Sequence, residues 1–232
     1  MLLSDWAQFQ PYIIQLEREG LATRTFRRLD PQRQEAIVAA ILDEATEHGP
    51  ATLNIKRVAK RAGVAVGSLY QYFPDRDGML QFAVELCVRY VTDAFEGFRP
   101  YLAAMPLRDA LSAYLVGGIE WSKTQAGLLK LFARAAYQGD PELGESLVRP
   151  VANLLREMVH DILDAASERG ELRPGVDLES ATRIVHALMI AAGDSQLLPY
   201  LNNYFQLTGA EMPPERLVEA LLDFVIQAIS AE

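Results

Sequence analysis

Chemistry is densest between Asn54 and Arg76, where the chain reads NIKRVAKRAGVAVGSLYQYFPDR. Gln71 carries an amide that can pair bidentately with adenine or reach other base edges. Ser68, Tyr70 and Tyr72 offer hydroxyls to phosphates, and Gly67 has no side chain to hold a backbone away from a ligand. Arg76 follows Pro74-Asp75, where a cation at the start of a helix can hold a phosphate. Lys56, Arg57, Lys60 and Arg61 fall away from the apolar positions Ile55, Val58 and Ala59. A solvated charged face is the competing reading for Lys56, Lys60 and Arg61, and half-buried packing is the competing reading for Tyr70.

These groups need two short helices and a tight turn to position them. Asn54 is a good N-cap, because its side-chain oxygen accepts from a free N–H of the first turn. Gly63 sits where the first helix ends, a place for a residue that tolerates positive φ. Val64 plugs between the helices. A second helix is predicted from about Val66 to Tyr72, with Leu69 and Phe73 inward at i and i+4. Such a pair is a helix-turn-helix, whose second helix enters the major groove of DNA.

Residues from about 31 to 80 resemble the DNA-binding domain of the TetR (tetracycline-repressor) family. The matching residues are Val58-Ala59, Ala62-Gly63-Val64, Gly67 to Phe73, and Arg76-Asp77-Gly78-Met79-Leu80. The resemblance covers about a fifth of the chain. It implies that Tyr70, Tyr72 and Arg76 clamp phosphates, that Val66, Gly67 and Gln71 face the groove, and that Asn54 stands at the family's Ser/Thr cap. Two positions depart from the pattern. Ala65 replaces the usual Ser or Thr, removing a side-chain cap at a cost of about 1 kcal/mol. Val66 replaces a usual Lys or Arg, which favours apolar contact with a thymine methyl.

Almost every other segment also reads as helix, and no run alternates strictly enough for a strand. Ser4 to Gly20 puts Trp6, Phe9, Ile13 and Leu16 roughly on one side. Arg24 to Asp30 reads as a basic linker, with Arg24, Arg27 and Arg28 able to reach backbone or minor groove. Asp30-Pro31 is a helix start, and that helix runs to His48, burying Ile37, Val38, Ile41, Leu42 and Ala45. Longer helices are predicted at 76–98, 106–123, 125–138, 141–169 (kinked or split by Pro150), 178–207 (bent at Gly193 or Pro199) and 214–231. The fold class is therefore all-α. A helical extension with a basic arm occupies 1–29, and a three-helix DNA-binding domain occupies 30–76, its motif at 54–73. A larger ligand-binding and dimerisation domain occupies 77–232.

Composition supports a globular chain. Half of the 232 residues are hydrophobic and the net charge is −9. Residues 22–76 hold nine basic and six acidic side chains, a local excess of +3 on an otherwise acidic body. That asymmetry suits local contact with phosphates while the body is held off. No apolar run approaches the roughly 20 residues of a membrane helix. No secretory signal is visible at the N-terminus, and the lone Cys87 reads as a small buried apolar residue, so the cytoplasm is the expected compartment.

Two further surfaces are predicted. The helices at 178–207 and 214–231 are apolar on more than one side, so Ile184, Leu188, Leu217, Leu221, Phe224 and Ala228 are assigned to a four-helix homodimer interface. An intrachain core is the alternative. Tyr114, Trp121, Phe132, Tyr137, Met158, His186 and Met189 are candidates to line a pocket for a largely apolar effector, with plain core again the alternative. Glu157-x-x-His160 resembles half of a helical di-iron site, but no second copy exists. No phosphate loop, zinc-spaced set or nucleophilic constellation is present, so no cofactor, metal or enzyme activity is expected. The expected role is a dimeric regulator that binds a palindromic operator in double-stranded DNA and is released by a small molecule. A ligand carrier or protein-interaction module with a degenerate DNA-binding motif is the alternative.

Overall fold

The computed structural model describes residues 6–231, with the side chain of Ala126 excepted. Residues 4 and 5, where the first helix is predicted to begin, lie outside the described residues. After a 3₁₀ turn at Trp6–Phe9 the helices are α1 (Gln10–Arg18), α2 (Arg24–Arg27), α3 (Pro31–His48), α4 (Ile55–Ala62), α5 (Val66–Tyr72) and α6 (Arg76–Glu96). Then come α7 (Arg99–Ala104), α8 (Leu107–Thr124), α9 (Ala126–Gln138), α10 (Pro141–Leu143) and α11 (Arg149–Glu168). The last three are α12 (Leu178–Leu197), α13 (Pro199–Phe205) and α14 (Pro214–Ile229). The fold is all-α; among the described residues the only β features are two isolated bridges.

Most helix boundaries follow local chemistry. Asp30, Asp140 and Asp177 each accept from an N–H of the following first turn, and each of the first two precedes a proline at the first helical position. Pro199 ends α12, whereas Gly193 lies inside it without a break. Before Pro150 the chain widens into a π-turn at Gly144–Val148. A proline has no N–H to donate and its ring crowds the preceding turn, so a local widening accommodates it.

The chain groups into two compact units. The first comprises residues 6–94 with 124–151, the second 95–123 with 152–231. In the first, the predicted stripe Trp6, Phe9, Ile13 and Leu16 is buried, as are Ile37, Val38, Ile41, Leu42 and Ala45 of α3. Arg24 to Arg27 is a helix here and not a linker: Thr23 caps it, and Phe26 is fully buried. Removing that ring from water outweighs the local basic, linker-like composition. Cys87 is buried, and burial pushes its thiol up to about 12. In the second unit, α8, α11, α12 and α14 share one core containing Leu111, Ile119, Met158, Ile162, Val185, Met189, Leu222 and Val225. Arg108 on α8 pairs with Glu219 and Asp223 on α14, at 2.8 and 2.7 Å.

Candidate nucleic-acid interface

The turn at Gly63 sets the geometry of the site. Its φ of +67° places it in the left-handed region, so α4 stops there and α5 departs after Ala65. The Asn54 side chain accepts from the N–H groups of Lys56 and Arg57, at 2.9 and 3.3 Å. Ala65 at the start of α5 gives no side-chain cap. Val58, Ala59, Leu69 and Phe73 are buried beneath the pair. Lys56, Lys60, Gly67, Tyr70 and Gln71 are exposed, and Val66, Ser68, Asn54 and Arg76 are partly so. Tyr70 has 56% of its surface open, whereas Tyr72 has 7% and lies edge-on to Phe26.

Much of the basic charge is already engaged. Arg57 donates to Glu44, whose side chain is wholly buried on α3, at 2.6 to 2.7 Å. The Asn54 N–H donates to the same carboxylate at 3.2 Å. Burial alone pushes Glu44 up, but the Arg57 guanidinium and the Asn54 amide outweigh it and hold the carboxyl below its ordinary range. Arg61 forms a two-pronged pair with Glu47, at 2.7 and 2.9 Å, which lowers that carboxyl. Arg76 donates to the Ala51 carbonyl and to Asp77. These bonds fix α4 and the start of α6 against their surroundings.

Several residues that hold the site are not legible as site residues in the motif. Gln34 is fully buried; its oxygen accepts from Trp6 and Gln10, and its nitrogen donates to the carbonyls of Phe26 and Arg27. It thereby joins the N-terminal turn, α1 and α2 to α3. Thr23 bonds to the end of α5, through its hydroxyl to the Gln71 carbonyl at 2.7 Å and its N–H to the Tyr72 carbonyl at 2.9 Å. A signal for Gln34 and Glu44 exists: with Ile37 and Ile41 they occupy positions i, i+3, i+7 and i+10 of α3. A polar residue on an apolar stripe needs a partner.

The effector candidates divide between the units. Phe132 and Tyr137 are in the first, partly and openly exposed. Tyr114, Met158 and Met189 are buried in the core of the second, where Trp121 lies edge-on to Phe95 at 4.9 Å. The Tyr114 hydroxyl is pushed up by burial. His186 is half-buried, its Nδ1 has no hydrogen-bond partner, and burial followed by Arg156 lowers its pKa. One turn earlier, the Thr182 hydroxyl is fully buried and also unpartnered. A polar cleft of about 410 Å³ in the second unit is lined by Glu96, Arg99, Asp161, Asp164 and Glu168, with none of the seven candidates. Arg99 bonds Asp161 and Glu157 there, so Glu157 of the Glu-x-x-His pattern is an ion-pair partner. No group of three or more metal-ligating side chains assembles among the described residues.

Of the assigned interface residues, Leu217 is buried within the unit, Leu188 and Leu221 are partly covered, and Ala228 is exposed. Ile184 and Phe224 have 60% and 63% of their surface open, on helices that pack on each other. Among the described residues no helix is long and apolar enough to cross a membrane.

Comparison with known proteins adds the following. Residues 37–82 match the family model for bacterial regulatory proteins of the tetR family, and residues 106–192 match a tetracyclin repressor-like C-terminal domain. The chain is 29% identical over 117 residues to the HTH-type transcriptional regulator BetI of Stenotrophomonas maltophilia, covering 50% of this chain and 59% of that protein. For the BetI of Yersinia pestis the identity is 28% and the share of that protein 52%, so the chain spans little more than half the length of these curated relatives. In fold it resembles SmeT, the repressor of the Stenotrophomonas maltophilia multidrug efflux pump SmeDEF (TM-score 0.58, 21% identity, 86% of this chain and 92% of that one). It also resembles the transcriptional regulator FadR of Bacillus subtilis in complex with stearoyl-CoA (TM-score 0.55, 17% identity, 84% and 98%). SmeT has a structure with triclosan, to which the TM-score is 0.62.

Proposed function

This chain belongs to the TetR family of bacterial transcriptional regulators, and we propose that it is a homodimeric repressor whose operator is palindromic. One observation carries the proposal. The left-handed turn at Gly63 sets α5 above a buried Val58–Leu69–Phe73 base while leaving Gly67, Tyr70 and Gln71 open to a groove. In this reading Gln71 reads a base edge, Val66 meets a thymine methyl, and Ser68, Tyr70, Lys56 and Lys60 face phosphates. Arg76 contacts phosphate after leaving its intramolecular acceptors. A twofold dimer through α12 and α14, with Ile184 and Phe224 at its centre, presents two such helices to two half-sites.

The effector in this reading is a small, largely apolar molecule held in the second unit. Buried Tyr114, Met158 and Met189 supply apolar walls, and the unpartnered Thr182 and His186 on α12 supply polar anchors. The triclosan complex of SmeT supports an apolar ligand class. Binding favours a conformer whose recognition helices no longer match the half-site spacing.

Fluorescence anisotropy on the DNA upstream of the protein's own gene tests the proposal. Tight, salt-sensitive binding is expected. Gln71→Ala should relax sequence preference and Arg76→Ala should weaken all sites alike. Variants that bind as the parent does overturn these roles. The uncapped Ala65 favours a second reading, a helical ligand carrier with a degenerate motif. No preference for any duplex in a selection from random oligonucleotides would establish it over the first.

A further inference from the structure

The DNA-binding domain of that reading accounts for residues 30–76, but not for residues 6–28 before it. Those residues reach the far end of the recognition helix. The last carbonyls of a helix have no partner within it. In α5 two of them, of Gln71 and Tyr72, are taken by one residue outside the motif, Thr23. The same hydroxyl accepts from the Phe26 N–H at 3.4 Å and so caps α2. Phe26, held in place by this cap, lies about 5 Å from the rings of Phe73 and Phe82.

The other end of the segment is fastened to α6. Phe9 lies tilted against Tyr90 with ring centres 4.3 Å apart, and Glu19 receives Arg89 at 2.6 Å. Tyr12 bonds Asp93; burial first and that carboxylate second push its hydroxyl up to about 12. Residues 6–28 therefore run from the end of α5 to the body of α6. α5 itself is only seven residues long and starts without a side-chain cap. A helix that short has little order of its own, so the fastening at its C-terminal end adds to the Gly63 turn and the buried Leu69 and Phe73 in setting its direction.

We infer that residues 6–28 are a strap that sets the angle of the recognition helix, with Thr23 as its positioning residue. The inference rests on the DNA-binding reading above. Thr23 itself lies at the surface end of this contact, and its bonds add little to global stability. They govern an angle, and two half-sites must be matched at once.

The test compares full-length Thr23→Val, which keeps the shape and removes the hydroxyl, with Thr23→Ser. The probes are a duplex that the parent recovers from a random oligonucleotide pool and a scrambled duplex of the same composition. T23V should weaken the recovered duplex about tenfold, the hydroxyl's bond to α5 being lost once in each subunit of the dimer, and the scrambled one less than about twofold. Amide exchange should quicken in residues 66–73 and stay unchanged in α3. T23S should restore both. Unchanged exchange at 66–73, equal weakening of both duplexes, or failure of serine to restore overturns the inference. If the parent recovers no duplex, the DNA reading falls, while the exchange data still decide the strap. Should T23V misfold, Thr23→Ala takes its place in the same measurements. Misfolding of both assigns Thr23 to the folding core and overturns the strap.

Discussion

Two helix pairs of this chain face water with opposite chemistry. The α4–α5 pair shows Lys56, Lys60, Tyr70 and Gln71, and keeps its apolar residues beneath. The α12–α14 pair shows Ile184 and Phe224 and buries Val185, Leu222 and Val225 on its other side. Two large apolar side chains in water on adjoining helices are what the proposed twofold partner would cover. The polar pair suits a polyanion that stays hydrated and exchanges quickly. The apolar pair suits a contact that persists. The difference also shows in how each is fixed: α4 by charge-assisted bonds that Arg57 and the Asn54 N–H donate to Glu44, α12 and α14 by a shared apolar core.

Turning the apolar pair into a polar one is the most disruptive change. Ile184→Glu with Phe224→Glu should weaken self-association by at least about 10⁴-fold, since each of four buried side chains contributes roughly 1.5–3 kcal/mol. Sedimentation equilibrium measures it, and a variant that stays dimeric at micromolar concentration removes the contrast between the two faces. The polar pair depends next on its aromatic base. Phe26→Ala should destabilise the first unit by about 3–5 kcal/mol in urea unfolding. A loss below about 1 kcal/mol would show that α2 is an ornament on α3 and α5.

A smaller effect sharpens how α4 is fixed. The folded state holds the Glu44 carboxyl below its ordinary value of 4.5. Its stabilisation is therefore present above that value and is lost as pH falls through the lowered one. The melting temperature of the parent should drop more steeply than that of Glu44→Gln between about pH 5 and pH 3. Parallel curves would assign the acid sensitivity elsewhere. The smallest effect concerns the uncapped start of α5. Ala65→Ser should add about 1 kcal/mol of local protection at Val66 to Ser68 in amide exchange, with little change in global stability. Equal protection in both proteins would mean that α5 is already held by its other end.

The helices, their class and the helix-turn-helix were legible because their signals are local. Asn54 as cap, Gly63 as stop, Ala65 as missing cap and the inward pair Leu69 and Phe73 all follow from residue type and spacing. The N-terminal stripe was legible too, but its purpose was not. Arg24 to Arg28 is basic and short, and nothing local announces that Phe26 will enter an aromatic cluster with residues some fifty positions later. Pro150 announced a disturbance without specifying a π-turn.

The sequence by itself determined that this chain is helical, that residues 54–73 form a helix-turn-helix, and that its last helices carry more apolar surface than one side can hide. Only the tertiary structure decided which side chains hold that motif. Gln34, Glu44, Thr23 and Phe26 act through partners that approach from other helices. It also decided which apolar residues stay in water, sending Leu217 inward and leaving Phe224 out. The physical reason is that caps, turns and periodicity are interactions within a few residues, whereas a buried hydrogen bond or ring contact exists only once distant segments have met.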